Sequence, residues 1–218
     1  ILFINSLKFI NKQRLITILA FLSLTGILFQ AWLGKTVVDS NLLAGKITIH
    51  MLMAVLIVSI LFILLSKLNE ENSNLVFNKY ISNLTLISLG LLIIQLLSGT
   101  EVRQFVDIQM LSNNYSEKYK WLMNPPESFY FHRSFSIIIF VVNILIFIKL
   151  KKMIIDSKIF KIIMILLFIQ ILTGIVMYYF DFPFATQPIH LLISSLIIGF
   201  QVYFYVLLKN KKKYGTKN

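Results

Sequence analysis

No cysteine occurs in the 218 residues, which excludes disulfides and thiolate ligands within them and leaves any metal to nitrogen or oxygen donors. Acidic residues are scarce, nine against 21 Lys and Arg. Asp39, Asp107, Asp156 and Asp181 stand singly, so no aspartate-rich metal site of the prenyl transferase kind is present. Glycine and proline number only eight and four, and no apolar segment carries the paired mid-depth break expected of a transporter. Histidine occurs three times, without the close pair of ligands or added carboxylates that a zinc site wants. What fills the chain instead is apolar: 57% hydrophobic residues and a mean hydropathy of +0.80, against an apolar share of about 45–50% in soluble domains. An integral membrane protein follows.

The formal net charge of +12 does not point to nucleic acid, because Lys and Arg sit in short segments between long Ile/Leu/Phe runs and not on one face. Six segments are long enough to cross a bilayer core of about 20 residues. They are Leu15 to Val37, Ile47 to Ser66, Ile81 to Gly99, His132 to Lys149, Phe160 to Phe180 and Pro188 to Leu208. Of the 21 bases, 15 share one side, from Lys8, Lys12 and Arg14 through Lys149, Lys151 and Lys152 to Lys209, Lys211, Lys212, Lys213 and Lys217. The positive-inside tendency makes that side cytoplasmic, with both ends of the chain on it. The other side holds six of the nine acids and one long interfacial loop, Thr100 to Phe131, rich in Tyr115, Tyr119, Trp121, Phe129 and Tyr130.

A self-match at an offset of 140 residues organises these segments. Phe29-Gln30-x-x-x-Gly34 followed by Ile49-His50 returns as Ile169-Gln170-x-x-x-Gly174 followed by Ile189-His190, and 50 − 30 and 190 − 170 are both 20. Internal repeats of this kind mark duplicated membrane bundles. The counterpart of His132 would lie before residue 1, since 132 − 140 is −8. The chain is therefore expected to be a piece of an eight-helix protein made of two four-helix halves, without its first one and a half helices. The fold class is an all-α polytopic membrane bundle, divided into 1–80, the remainder of the N-terminal half, and 81–218, the C-terminal half.

His50, His132 and His190 each open a segment entering from the outer side, at one depth. Ionisable residues in hydrocarbon face a bundle interior with a partner, and neutral imidazole commonly ligates haem iron. Four residues on, Ala54, Ser136 and Ser194 leave room beside each ring for a flat macrocycle. Interfacial histidines bonded to a backbone or glutamine remain the structural alternative. Gln30-x-x-x-Gly34, Gln95-x-x-x-Gly99 and Gln170-x-x-x-Gly174 read equally as helix-packing glue or as ligand contacts. Arg103 and Arg133 stand where haem propionates would emerge, suited to them by a planar fork, and each could instead be an interfacial anchor.

Gln30-Ala31-Trp32-Leu33-Gly34 leading to Ile49-His50-Met51-Leu52-Met53-Ala54, then Gly99-Thr100-Glu101-Val102-Arg103-Gln104, then His132-Arg133, then Gln170-x-x-x-Gly174 leading to Pro188-Ile189-His190-Leu191-Leu192 resemble the haem A synthases of bacteria and mitochondria over essentially the whole chain. That resemblance implies a two-half, eight-helix protein of the bacterial cell (inner) membrane that oxidises the ring methyl of haem O to the formyl of haem A for haem-copper terminal oxidases. It implies a bis-histidine haem b on His132 and His190, and substrate haem on His50 with a ligand that would precede Ile1. The family's catalytic acid and extracytoplasmic cysteines would also precede Ile1, and Glu101 does not stand at the acid's place. Implied partners are membrane lipid, the enzyme that supplies haem O, the terminal oxidase and an electron donor of unknown identity. A rival is a bis-histidine cytochrome b-like quinol carrier. Another is a non-enzymatic assembly protein, in which His132 and His190 would be dispensable.

Overall fold

The structure is a computed structural model describing residues 1–40, 43–68, 75–114, 116–155 and 157–215, without the side chains of 44 and 211–215. Tyr115, Asp156 and the Lys211, Lys212, Lys213 and Lys217 side chains of the basic tail lie outside it. The described residues form helices and no strand: α1 (Leu2–Ser6), α2 (Arg14–Asp39), α3 (Ala44–Leu68), α4 (Lys79–Ser112), α5 (Glu127–Lys152), α6 (Lys158–Tyr179) and α7 (Thr186–Gly215). The last six each carry a window long and apolar enough to cross a membrane. Leu28, Ile137 and Ile165 are over half exposed, and in a bilayer that surface meets lipid at no hydrophobic cost.

Local chemistry sets the ends. The Asn78 Oδ1 accepts from the Ile81 N–H at 3.1 Å to start α4, and the Ser157 Oγ accepts from the Phe160 N–H at 3.2 Å to start α6. Pro125 and Pro126 end the preceding loop, and Glu127 enters α5 where the helix dipole favours an acid. Lys149, Lys151 and Lys152 close the same helix at its negative end.

One boundary departs from expectation. The segment from Thr100 is not all loop: α4 runs on to Ser112, and of the described residues only 113–114 and 116–126 are irregular or 3-10 before α5 begins at Glu127. No Pro or Gly interrupts 100–112, and Arg103 Nε meets Asp107 Oδ2 at 3.5 Å, one turn along the helix. Hydropathy falls where hydrocarbon ends, but nothing there stops the helix. The remaining loop is pinned by Trp121, 5% exposed, whose indole N–H donates to Ser116 O at 3.1 Å. Its ring lies 5.6 Å from that of Phe182 in the α6–α7 turn.

The spans pair as hairpins, α2 with α3, α4 with α5 and α6 with α7. In the second half α4 packs on α5 and α7, and α6 packs on the same two. That cyclic order puts α5 and α7 on a diagonal. Its core holds Ile146, Phe160, Ile163, Phe204 and Leu207, each at most 2% exposed. The first hairpin joins through α3, which packs against α7. There Gly199 is required, because a Cβ would overlap the Phe62 ring. At the outer ends Thr48 Oγ1 donates to Thr100 Oγ1 at 3.1 Å, tying α3 to α4.

Candidate functional site

The first two hairpins build the same unit, and the third sets Gly174 and Thr173 against His190. In the shared unit a glutamine and a glycine on the first helix meet a histidine near the start of the second. Gln30 Nε2 donates to the His50 backbone oxygen at 3.0 Å, and Gln95 Nε2 donates to that of His132 at 2.9 Å. The carbonyl can only accept, which fixes the amide orientation. The glycines make room for the rings. A Cβ on Gly34 would stand 3.3 Å from His50 Cε1, on Gly99 2.9 Å from His132 Cε1, and on Gly174 3.7 Å from His190 Cε1. The motif that the sequence left open between glue and ligand contact is thus a close seat for imidazole in the first two copies, and at Gly174 an ordinary contact.

The tautomers follow from the hydrogen bonds. Ser98 Oγ donates its proton to Gln95 O at 3.0 Å. The oxygen then accepts from His132 Nδ1, 3.1 Å away. Thr173 repeats this, donating to Gln170 O at 2.9 Å and lying 2.8 Å from His190 Nδ1. A hydroxyl whose proton is committed to the carbonyl favours the Nδ1–H tautomer, in which Nε2 keeps the lone pair. All three histidines are half-buried.

A second layer shows which way α5 and α7 face. Asn143 and Gln201, both fully buried, lie 11 residues beyond His132 and His190 (143 − 132 and 201 − 190). Three helical turns separate the layers, about 16 Å, so each pair shares a face. Gln201 Nε2 donates to Asn143 Oδ1 at 2.6 Å and to Ser88 Oγ on α4 at 2.9 Å. Asn143 Nδ2 donates to the same oxygen at 2.9 Å. The faces carrying His132 and His190 therefore meet across the diagonal. Between the layers, Ser136 and Ser194 spend their hydroxyls on the carbonyls of Arg133 and Leu191, presenting small side chains to the interior.

The arginines take the histidine end of the bundle. Arg103 stands one turn beyond Gly99 on the same face and pairs with Asp107. Arg133 is exposed and lies over the rings of Phe129 and Tyr130 at 5.8 and 5.6 Å. Glu101 is exposed. Among the described residues no three His, Asp or Glu side chains gather as a metal site of protein ligands alone would need. A groove of about 580 Å3 between α3, α4 and α7 is lined by Leu52, Leu56, Leu86, Gly90 and Ile93, holds Ser59 as its hydroxyl, and includes no histidine.

Sequence reasoning missed Ser98, Thr173 and the Ser88–Asn143–Gln201 layer. Signals existed: a hydroxyl precedes glycine in two of three motif copies, and polar residues recur 11 positions after two histidines.

A family model described as cytochrome oxidase assembly protein, COX15-CtaA, matches residues 1–202. No curated protein shows a significant match.

Proposed function

The chain belongs to the COX15-CtaA family of cytochrome oxidase assembly proteins, and we propose that its step in that assembly is oxidation of the ring methyl of haem O to the formyl of haem A. The observation that carries this reading is the pair His132 and His190. They stand on diagonal helices, with the Ser98 and Thr173 hydroxyls against their Nδ1 atoms, an arrangement in which Nε2 would carry the lone pair a metal needs. A metal with only two protein ligands needs the rest from a macrocycle, and two axial imidazoles suit electron transfer. The residues fit haem b.

Bound haem would supply the redox chemistry, while the protein sets ligation, orientation and access. His132 and His190 would ligate haem b in the half formed by 81–218. Gly99 and Gly174 keep the rings seated, and Ser136 and Ser194 leave space one turn deeper. Arg103 and Arg133, at the outer ends, would face carboxylates. His50, in 1–80, would take the haem that is changed, as substrate haem O and product haem A. We place the protein in the bacterial inner membrane with its lysine-rich ends cytoplasmic, next to the enzyme that supplies haem O and the oxidase that takes haem A.

Deleting the gene should make haem O accumulate and haem A vanish from membrane extracts, and the intact gene should restore both. Haem A at its normal level in the deletion strain would exclude the reading.

A further inference from the structure

The residue before the glycine differs in chemistry among the three hairpins: Leu33 in the first, but a hydroxyl, Ser98 or Thr173, in the second and third. In the second and third, a relay runs from the ring Nδ1–H to the hydroxyl oxygen and from the hydroxyl proton to a glutamine carbonyl. Such a partner holds the ring's orientation and makes Nε2 a stronger donor to metal. Leu33, 7% exposed, offers no acceptor. His50 Nδ1 is accordingly buried without a hydrogen-bond partner. The glutamine compounds the difference. Gln30 Nε2 lies 3.2 Å from His50 Nε2, whereas Gln95 Nε2 is 3.5 Å from that of His132. The amide competes hardest for the lone pair where no hydroxyl strengthens it.

We propose that the residue before each glycine sets how firmly the facing histidine holds iron, so that Ser98 and Thr173 make His132 and His190 permanent ligands and Leu33 keeps His50 exchangeable. The proposal rests on the haem reading and adds to it which site releases its haem. A site that must admit a substrate and surrender a product needs a weak ligand; a resident electron-transfer haem needs two strong ones. Leu33, Ser98 and Thr173 act through the imidazoles and are positioning residues.

The test uses the intact protein in detergent, loaded with hemin and mixed with excess apomyoglobin, with transfer followed at the Soret band. Wild type should release hemin in a fast and a slow phase, and His50→Ala should remove the fast one. Leu33→Thr should slow the fast phase about tenfold, and Ser98→Ala or Thr173→Val should each speed the slow phase by about tenfold to a hundredfold. The last two should also raise the midpoint potential of the retained haem, because a weaker imidazole donor stabilises ferric iron less. Thr173→Ser keeps the hydroxyl and should keep both properties. The potential is read only on molecules that hold haem, so a poor yield of folded variant does not mask it. Unchanged rates and potential in Ser98→Ala and Thr173→Val overturn the proposal and leave the haem reading standing. A wild-type protein that takes up no hemin overturns both.

Discussion

Replacing His132 or His190 with alanine is expected to abolish the low-spin haem b signal in reduced-minus-oxidised spectra while leaving the helical content by circular dichroism unchanged. In the haem reading each ring would supply one of the two protein ligands, and the described residues offer no third His, Asp or Glu gathered at the site to take its place. The α4–α5 pairing should survive, because Gln95 bonds the backbone oxygen of residue 132, which alanine keeps. His50→Ala should give the opposite pattern, retaining the low-spin signal and losing conversion of haem O. Retention of haem b in both His132→Ala and His190→Ala would place the cofactor elsewhere.

Changes at the glycines should damage the same site with every histidine still present. The built Cβ distances rank them. At Gly99, 2.9 Å from His132 Cε1 is closer than side chains tolerate, at Gly34 3.3 Å from His50 is tight, and at Gly174 3.7 Å from His190 is ordinary contact. Gly99→Val, which adds two more methyls in the direction of the ring, should displace His132 and lose nearly all haem b. Gly99→Ala should lose a large part of it, and Gly174→Ala almost none. Overpacking of this kind costs typically about 1–3 kcal/mol, which is about tenfold to a hundredfold in occupancy if the strain falls on the ligated state. Haem content per protein, measured as pyridine haemochrome, checks the order. Equal losses at Gly99 and Gly174 would show that the glycines serve general helix packing alone.

Much of this architecture is written in one dimension. Long apolar runs define the spans because a bilayer admits helices whose backbone bonds are internal, and the six expected segments fall on α2 to α7, the fifth overrunning α6 by Phe180. The glutamine, glycine and histidine of each hairpin were visible as a repeat. Their contact was not, because residues 37 positions apart, such as Gln95 and His132, meet only once two helices are docked. The roles of Ser98 and Thr173 were hidden for another reason. A hydroxyl inside a helix usually bonds its own preceding turn, and both do; only the opposed ring reveals that the remaining lone pair is used. Ser88, Asn143 and Gln201 likewise looked like isolated polar residues in apolar helices until the α4, α5 and α7 faces were brought together. The outer end of α4 was misjudged because hydropathy reports the edge of hydrocarbon, and Arg103 with Asp107 continues the helix past it.

The central claim is that this bundle binds haem in order to change it. Extracting and separating the pigments of the intact protein, purified from membranes that make haem O, tests it most directly. The account predicts haem b together with haem O or haem A in the extract. Haem b alone would mark an electron carrier, and an extract free of haem would contradict the account altogether.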